Sequence, residues 1–510
     1  MDDKQIKVMD IAADLEAAGL LRGTSPDLAG PAGEAAVSGL TYDSREVSPG
    51  TAFVCKGTHF KKEFLRDSVG AGASCYITEI PYGLGSDSCP ELLVTDIRAA
   101  MPVIAGTFYG DLSGKLGMVG ITGTKGKSTT TYYMRYILDD WLEAAGEGKS
   151  AVCSGIYNYD GVIDEESHLT TPEILELYTH MDNALKSGIH YLSMEVSSQG
   201  LRYNRLDGIT FRAGAFLNIG RDHISPIEHP DFEDYFGAKL LLFRHCKKAC
   251  YNLDCDGQEE LRKASEDCPY VITFSQKDPS ANVYGYDVKS ESGKVSLRMR
   301  IRDVEGYPDI DEEVVLGTFG TINVENALAA ASLSALMGVP FVHVQKGLEK
   351  SSSPGRMEVF RSADGKRIAI VDYAHNKLSY ESFFETIGEE FPGKKIMIVF
   401  GCPGGKAFER RVELGTIAGK NCCHSIITEE DYGEEDVNKI CEEIAVHVAA
   451  AGGSYEIITD RVEAIKKAIS LMDDDTILFL PGKGRETREK RGILYIDTPS
   501  DADVVMEYMK

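Results

Sequence analysis

No apolar stretch in the chain reaches the ~18 residues that a membrane-spanning helix requires. The N-terminus, MDDKQIKVMDIAADLEAAGLL, carries acidic residues where a secretory signal needs basic ones and has no continuous apolar core. The expectation is a cytoplasmic protein with no membrane partner. Positive charge is scarce as well: 54 Lys and Arg stand against 80 Asp and Glu, a formal charge of −26. That balance excludes the basic footprint of non-specific nucleic-acid binding. A disulfide frame is missing too, because the 12 cysteines are scattered from Cys55 to Cys441 and read as reduced thiols. Cys246, Cys250 and Cys255 beside His245 form the one cluster, and their spacing fits no zinc pattern well. The Asn-Lys-x-Asp signature of a guanine-reading switch is absent: Asn376-Lys377 runs into Leu-Ser and Asn438-Lys439 into Ile-Cys. We find no internal repeat and no low-complexity tract.

What the chain does have is length, apolar content and glycine-broken strands. Its 510 residues, 43% hydrophobic and 26% charged, are those of a globular protein too long for one core, which suggests about three domains.

Leu116 to Thr131, LGMVGITGTKGKSTTT, is an apolar strand-like run that breaks into glycines and then into a string able to start a helix. Gly120, Gly123 and Gly126 let several backbone N–H groups point at one anion. Lys127 adds a cation, Ser128 or Thr129 offers a hydroxyl to Mg²⁺, and the helix that follows presents its positive end to phosphates. The pattern is a variant of G-x-x-x-x-G-K-S/T, since the position five before Gly126 is Ile121. Strand, GKS and helix start coincide, so a phosphate cradle is the stronger reading over a plain glycine-rich turn.

Residues 1 to 112 open with a helix and turn strand-like at Val37 to Tyr42 and Thr51 to Lys56, with DSREVSPG (Asp43 to Gly50) as a turn-rich, ligand-gripping loop or a hairpin connection. Residues 113 to 345 alternate apolar strands with amphipathic helices, as a parallel sheet covered on both faces would. There, His190 to Val196 delivers Glu195 near a strand's C-terminal end, and Ala213 to Ile219 runs into Gly220-Arg221-Asp222-His223. That is the edge where open α/β sheets bind ligands, and a carboxylate with an imidazole beside triphosphate suggests Mg²⁺ ligation. A Glu195 helix cap with a carbonyl-bonded His223 is the alternative. Lys239, in YFGAKLLLF, reads by default as a snorkelling lysine. From about 346 a Ser-rich, Pro-ended hinge leads into a second doubly wound α/β domain, residues 346 to 510. Its strands are Ile368 to Tyr373, Lys395 to Phe400, Ser425 to Thr428 and Thr476 to Leu480, with helices such as Val437 to Ala450 and Arg461 to Met472. Facing loops on three domains imply a cleft closed by rigid-body motion.

These motifs resemble those of the Mur ligases, ATP-dependent enzymes that add amino acids to the peptide of the cell-wall precursor. The resemblance covers nearly the whole chain: LTYDSREVSPGTAFV from Leu40, GITGTKGKSTTT from Gly120, TTPE from Thr170, MEVSS from Met194, NIGRDH from Asn218, YFGAK from Tyr235, GTINVENALAA from Gly320, PGRME from Pro354, VDYAH from Val371, FGCPGG from Phe400 and PGKGRE from Pro481. It implies three α/β domains: an N-terminal one for a UDP-sugar peptide, a central ATPase domain of the P-loop type, and a Rossmann-like C-terminal domain for the amino acid. By that resemblance Gly123, Thr124, Lys125, Gly126, Lys127, Ser128 and Thr129 hold the ATP phosphates, and Asn326, Arg356, Asp372 and His375 contact the nucleotide. Ser128, Glu195, His223 and a carbamylated Lys239 ligate magnesium, with Lys127, Lys239, His223 and Glu195 as the catalytic set. A neutral buried amine can add CO₂ and become an anion able to ligate a metal. Ser44, Thr58, His59, Thr170, Thr171, Ser197 and Arg205 would line the UDP-N-acetylmuramoyl-dipeptide site, and Glu430, Asp431, Gly482, Arg485 and Glu486 the amino-acid site. The implied reaction makes an acyl phosphate of the substrate carboxylate, then an amide, ADP and phosphate, in a protein expected to be monomeric.

The sequence also departs from the family. Diaminopimelate-adding members carry Asp-Asn-Pro-Arg, whereas here EEDYGEED (Glu429 to Asp436) puts Gly433 where that arginine would stand. Losing that cation and gaining Glu429, Glu430 and Asp431 favours a side-chain ammonium, hence L-lysine or ornithine over meso-diaminopimelate. Arg485, in place of the family's usual histidine, could supply a cation from another direction, as could Lys406. Gln199 replaces a histidine, and GGKAFERR lacks the usual Asn/Asp-Arg-Asp. A folylpolyglutamate synthase-like ligase is the rival reading, weakened by the DSREVSPG-bearing first domain.

Overall fold

The computed structural model describes residues 6–57, 60–221, 224, 228–291 and 294–509. Its chain divides into two compact units, one of Met1–Lys127, Ala145–Tyr251 and Cys255–Val271, the other of Ser128–Ala144, Asn252–Asp254 and Ile272–Lys510.

The first unit opens with a five-stranded sheet in the order Leu21–Ser25, Glu91–Val94, Cys75–Thr78, Thr51–Val54, Gly39–Thr41. Only its first pair is antiparallel. Thr41 pairs in parallel with Phe53, so the Asp43–Gly50 loop is a crossover and not a hairpin turn. Phe53, Leu65 and Tyr76 are fully buried beneath it. Next comes a mainly parallel sheet whose middle strands are Ala151–Cys153, Tyr191–Glu195, Gly117–Thr122, Ala213–Phe216 and Ala249–Asn252. Every residue of Gly117–Thr122 is buried, as expected of a strand covered on both faces. Tyr157–Tyr159 and Asp164–Glu166 extend this sheet antiparallel.

In the second unit an antiparallel ribbon, Val283–Glu291, Lys294–Ile301 and Ile310–Leu316, corrects the expectation of simple strand-helix alternation through residue 345. Lys294–Ile301 has one buried and one more open face, alternating residue by residue. The C-terminal sheet runs Glu358–Arg361, Ile368–Asp372, Thr476–Pro481, Lys395–Phe400, His424–Ile427, Tyr455–Ile457, parallel except at its first pair. Lys395–Phe400 (KIMIVF) shows why it is doubly wound. Ile396, Ile398 and Phe400 enter one apolar core while Met397 and Val399 enter another, so both faces need helices. Each such side chain contributes about 1.5–3 kcal/mol on burial. The helix Val437–Ala450 starts at Asp436, whose side chain accepts from Asn438 N, and buries Ile440, Cys441, Ile444, Ala445 and Val448 at three- and four-residue spacing. Among the described residues no cysteine is in a disulfide. Among the described residues no helix is long and apolar enough to cross a membrane.

Candidate functional site

At the C-terminal end of Gly117–Thr122 the chain enters the glycine loop. A Cβ at Gly123 would come within 2.9 Å of the Leu217 Cβ, and Gly126 sits at φ +83°, in the left-handed region that favours glycine. The loop is strapped to the neighbouring strand end: Thr124 N donates to Asn218 O at 3.1 Å and Lys125 N to Asn218 Oδ1 at 2.9 Å. Tyr235 Oη donates to Thr124 Oγ1 at 3.1 Å. Lys127 then begins the helix Lys127–Ala144, with Ser128 and Thr129 buried in its first turn.

Two ammonium groups meet one carbonyl here. Lys127 Nζ donates to Gly123 O at 3.0 Å and to Thr124 O at 3.2 Å, and Lys239 Nζ donates to Gly123 O at 2.9 Å. Lys239 lies on the helix Phe232–Leu240, started by Asp231 accepting from Asp234 N, and its side chain is only 2% exposed. Its nitrogen is 4.9 Å from the Tyr235 ring centroid. The snorkelling default is thereby overturned, because the amine is inside the protein at the loop. Glu195, also 2% exposed, ends the adjacent strand opposite Ile121 and accepts from Gly155 N at 2.9 Å. It does not cap a helix: the helix Ser198–Arg202 is capped by Ser197. Within the first unit, a buried Glu195 carboxylate and a buried Lys239 amine able to become a carbamate are oxygen donors of the kind magnesium takes. His223 lies outside the described residues, and among those residues no group of three His, Cys, Asp or Glu side chains forms a metal cluster.

The expected substrate residues of the same unit converge on Thr171. Its hydroxyl donates to Glu195 O at 3.0 Å and accepts from Ser197 N at 2.9 Å, and Arg205 donates to its carbonyl at 2.9 Å. Arg205 also pairs with Glu173 at 2.9 Å, and Glu173 bridges on to Lys56, which lies 4.8 Å from the Tyr42 ring centroid. Sequence reasoning missed Lys56 and Glu173, although Glu173 ends the quoted TTPE. Thr170 lies beside Gly155, 3.4 Å from where a Cβ there would be. Ser44 sits half-buried in the crossover loop, next to Asp43, whose carboxyl the Arg45 guanidinium holds below its usual range. Thr58 and His59 lie outside the described residues.

In the second unit, Arg356, Asp372 and His375 gather where Ile368–Asp372 ends. Asp372 Oδ1 accepts from Ala374 N and Oδ2 from Met357 N, each at 2.6 Å. The Arg356 guanidinium lies 5.0 Å from the Tyr373 ring centroid, and the exposed His375 is bonded through Nδ1 to Tyr373 O at 2.7 Å. Asn326 lies in the helix Asn323–Met337, with its amide donating to Asn323 Oδ1 at 3.0 Å and its oxygen accepting from Thr130 at 3.4 Å.

The amino-acid residues surround Lys483, which sequence reasoning passed over although PGKGRE places it between glycines just after a buried strand. Only 4% exposed, it pairs with Asp431 at 3.1 Å, Glu486 at 2.9 Å and Glu489 at 3.5 Å. Glu429 is taken by Arg491 at 2.6 Å. Arg485 grips Glu358 with two donors, at 3.0 and 2.6 Å, so its charge is already matched. Burial pushes the Glu430 carboxyl up to about 8, against the opposing pull of Arg461 and Lys483. A Cβ at Gly482, φ +105°, would stand 2.4 Å from Glu430 Oε2. The altered GGKAFERR loop is well anchored: buried Arg411 pairs with Glu435 at 2.7 Å and Glu443 at 2.6 Å, and Gly405 N donates to Glu435 at 2.9 Å. Gln199 donates to Glu228 at 3.4 Å.

Comparison with known proteins fits this layout. Residues 121–334 match the Mur ligase middle domain, and 355–484 match the Mur ligase, glutamate ligase domain. The UDP-N-acetylmuramoyl-L-alanyl-D-glutamate--L-lysine ligase of Enterococcus faecalis is 36% identical over 478 residues, 93% of this chain and 91% of that one. Its namesake in Streptococcus pyogenes is 36% identical over 453 residues, 88% of each chain. Among solved structures, a UDP-N-acetylmuramoyl-L-alanyl-D-glutamate--2,6-diaminopimelate ligase overlays with a TM-score of 0.66 at 23% identity, across 99% of both chains. A Mycobacterium tuberculosis folylpolyglutamate synthase overlays at 0.58 and 18% identity, across 75% of this chain and 92% of its own. The chain belongs to the Mur ligase family.

Proposed function

We propose that the protein is an ATP-dependent ligase that joins L-lysine to the terminal carboxylate of UDP-N-acetylmuramoyl-L-alanyl-D-glutamate, as a monomer in the cytoplasm, in peptidoglycan precursor synthesis. The relatives named for that reaction span nearly the whole chain. The observation that carries the choice of amino acid is the pairing pattern of the C-terminal loops. Gly433 supplies no cation and Arg485 is engaged by Glu358, while the desolvated Glu430 carboxyl lies against Gly482. A diamino acid's ammonium would match Glu430, with Asp431 and Glu486 completing the acidic wall. A second carboxylate would find the nearby cations already matched, Lys483 by Asp431 and Glu486 and Arg491 by Glu429.

The labour divides among three domains, residues 1–112, 113–345 and 346–510. In the first unit the glycine loop and Lys127 receive the ATP phosphates, and Thr170, Thr171, Ser197 and Arg205 orient the peptide acid, with Ser44, Thr58 and His59 on its UDP-sugar part. In the second, Arg356, Asp372 and His375, and separately Asn326, offer nucleotide contacts. Lys127 balances charge at the γ-phosphate while the substrate carboxylate attacks it, forming an acyl phosphate and ADP. The neutral amine of L-lysine then adds to that carbonyl, the acyl C–O bond breaks with its electron pair going to the departing phosphate, and the nitrogen gives up a proton as the amide forms. Mg²⁺, held by Ser128, Glu195, His223 and carbamylated Lys239, would supply charge neutralisation at the phosphates. Purified protein given the dipeptide precursor, MgATP and L-lysine should release ADP and phosphate with a lengthened peptide. Absence of ADP under those conditions overturns the reading.

A further inference from the structure

The ligase reading uses the C-terminal ends of the parallel strands in the first unit. The opposite edge of the same sheet carries a cavity of about 310 Å³ that this reading leaves unused. Its lining residues sit just before or at the starts of neighbouring strands: Lys115 ahead of Gly117–Thr122, His190 and Tyr191 at Tyr191–Glu195, Arg212 ahead of Ala213–Phe216, and Lys247 ahead of Ala249–Asn252. Parallel register brings them together, with Gly117 N donating to His190 O at 2.8 Å, Arg212 N to Met118 O at 2.9 Å and Lys247 N to Phe211 O at 2.9 Å.

The lining holds Lys115, Arg212, Lys247 and His190, and no carboxylate. That composition is the reverse of the chain's, where 80 acids outnumber 54 bases. Among the described residues none of these four side chains is in an ion pair, whereas the neighbouring Arg244 is paired with Asp267 at 2.8 Å. Asp111, the carboxylate nearest in sequence, is engaged by Gly114 N at 2.8 Å and Ser113 Oγ at 3.0 Å. Ser113 Oγ accepts from Thr210 N at 3.2 Å, which ties two walls together. Three basic side chains and His190 open onto one cavity, against the single Asp111 carboxylate that Ser113 and Gly114 hold at its wall, and the net positive charge favours an anion with several charges. The volume is at the lower end for small-molecule pockets. Arginine and lysine together suit phosphate oxygens.

We propose that this cavity is a second anion site that takes a compact diphosphate group, either free or carried by a nucleotide. It does not depend on the ligase assignment, because none of its residues belongs to the phosphate loop or to either substrate site.

Equilibrium dialysis with inorganic pyrophosphate, and in parallel with ADP, tests it on wild type, on Lys127→Ala and on the Lys115→Ser/Arg212→Ser/Lys247→Ser variant. These three side chains are exposed, so the triple variant should fold and retain basal ligase activity. Pyrophosphate should bind one fewer equivalent per chain in the triple variant than in wild type, and the extra equivalent should survive Lys127→Ala. The same deficit with ADP would mean that a nucleotide is admitted, and its absence would mean that the free diphosphate is the ligand. Equal pyrophosphate stoichiometry in wild type and the triple variant overturns the proposal, as does loss of all binding in a folded Lys127→Ala. Charge-dependent retention of hexaglutamate without any pyrophosphate deficit would also overturn it, in favour of an acidic peptide.

Discussion

Lys239 Nζ donates to the carbonyl oxygen of Gly123 at 2.9 Å, across 116 residues of sequence. The amine that the family resemblance marks for carbamylation is therefore already at the glycine loop, inside the protein and away from bulk water. Lys239→Ala should lower turnover by at least 10²–10³-fold, the scale of losing one electrostatic stabiliser. Small carboxylates should restore part of it by refilling the carbamate's place. Phosphate release with and without added formate or acetate checks this, and full activity without additives contradicts it.

Lys127 makes the same carbonyl bond with the loop's own ammonium. Lys127→Ala should abolish turnover, because the γ-phosphate loses its balancing charge as it is transferred. Single-turnover ADP formation is the readout, with circular dichroism confirming an intact fold.

Burial pushes the Glu430 carboxyl up to about 8 from an ordinary 4.5, because it disfavours the charged form. Between those values the folded chain keeps a proton that the unfolded chain has released, so this group's contribution to stability is greatest at low pH and declines up to pH ~8. Glu430→Gln should remove that slope from urea-melting curves. If the Glu430 carboxylate receives the lysine ammonium, KM for L-lysine falls as pH rises toward 8 in wild type. In Glu430→Gln it should be flat with pH and raised by on the order of 10–100-fold.

Gly482 stands at φ +105° with Glu430 Oε2 2.4 Å from its would-be Cβ. Gly482→Ala combines left-handed strain with overpacking and should cost about 1–3 kcal/mol. Thermal melting should show a loss of about 2–4 °C per kcal/mol, together with a raised KM for L-lysine and little change in KM for ATP.

Gly433 also has positive φ, +58°, and accepts from Gly492 N at 2.7 Å. Gly433→Arg should restore a cation near the acidic loop, so the ratio of kcat/KM for meso-diaminopimelate over L-lysine should rise by at least tenfold. An unchanged ratio would detach Gly433 from specificity.

Much of this was legible because buried parallel strands announce themselves. Lys395–Phe400 and Val437–Ala450 fall where apolar run and helical spacing put them, and the strand ends then place Glu195 correctly. The ribbon from Val283 to Leu316 escaped because Tyr284, Lys289 and Arg298 mix polar groups into strands with one open face. Its period-two alternation was the available signal. Lys239 could not be told from a snorkelling residue by helical position alone, since the carbonyl that holds its amine inside belongs to Gly123, far away in sequence. The commitment of Arg485 to Glu358 across 127 residues was equally hidden.

The most direct test is a competition. Purified protein is given MgATP, UDP-N-acetylmuramoyl-L-alanyl-D-glutamate and equimolar L-lysine, ornithine and meso-diaminopimelate, and the product is weighed by mass spectrometry. The account predicts a tripeptide product carrying L-lysine, with one ADP formed per peptide. A product carrying meso-diaminopimelate, or ADP with no lengthened peptide, would contradict it.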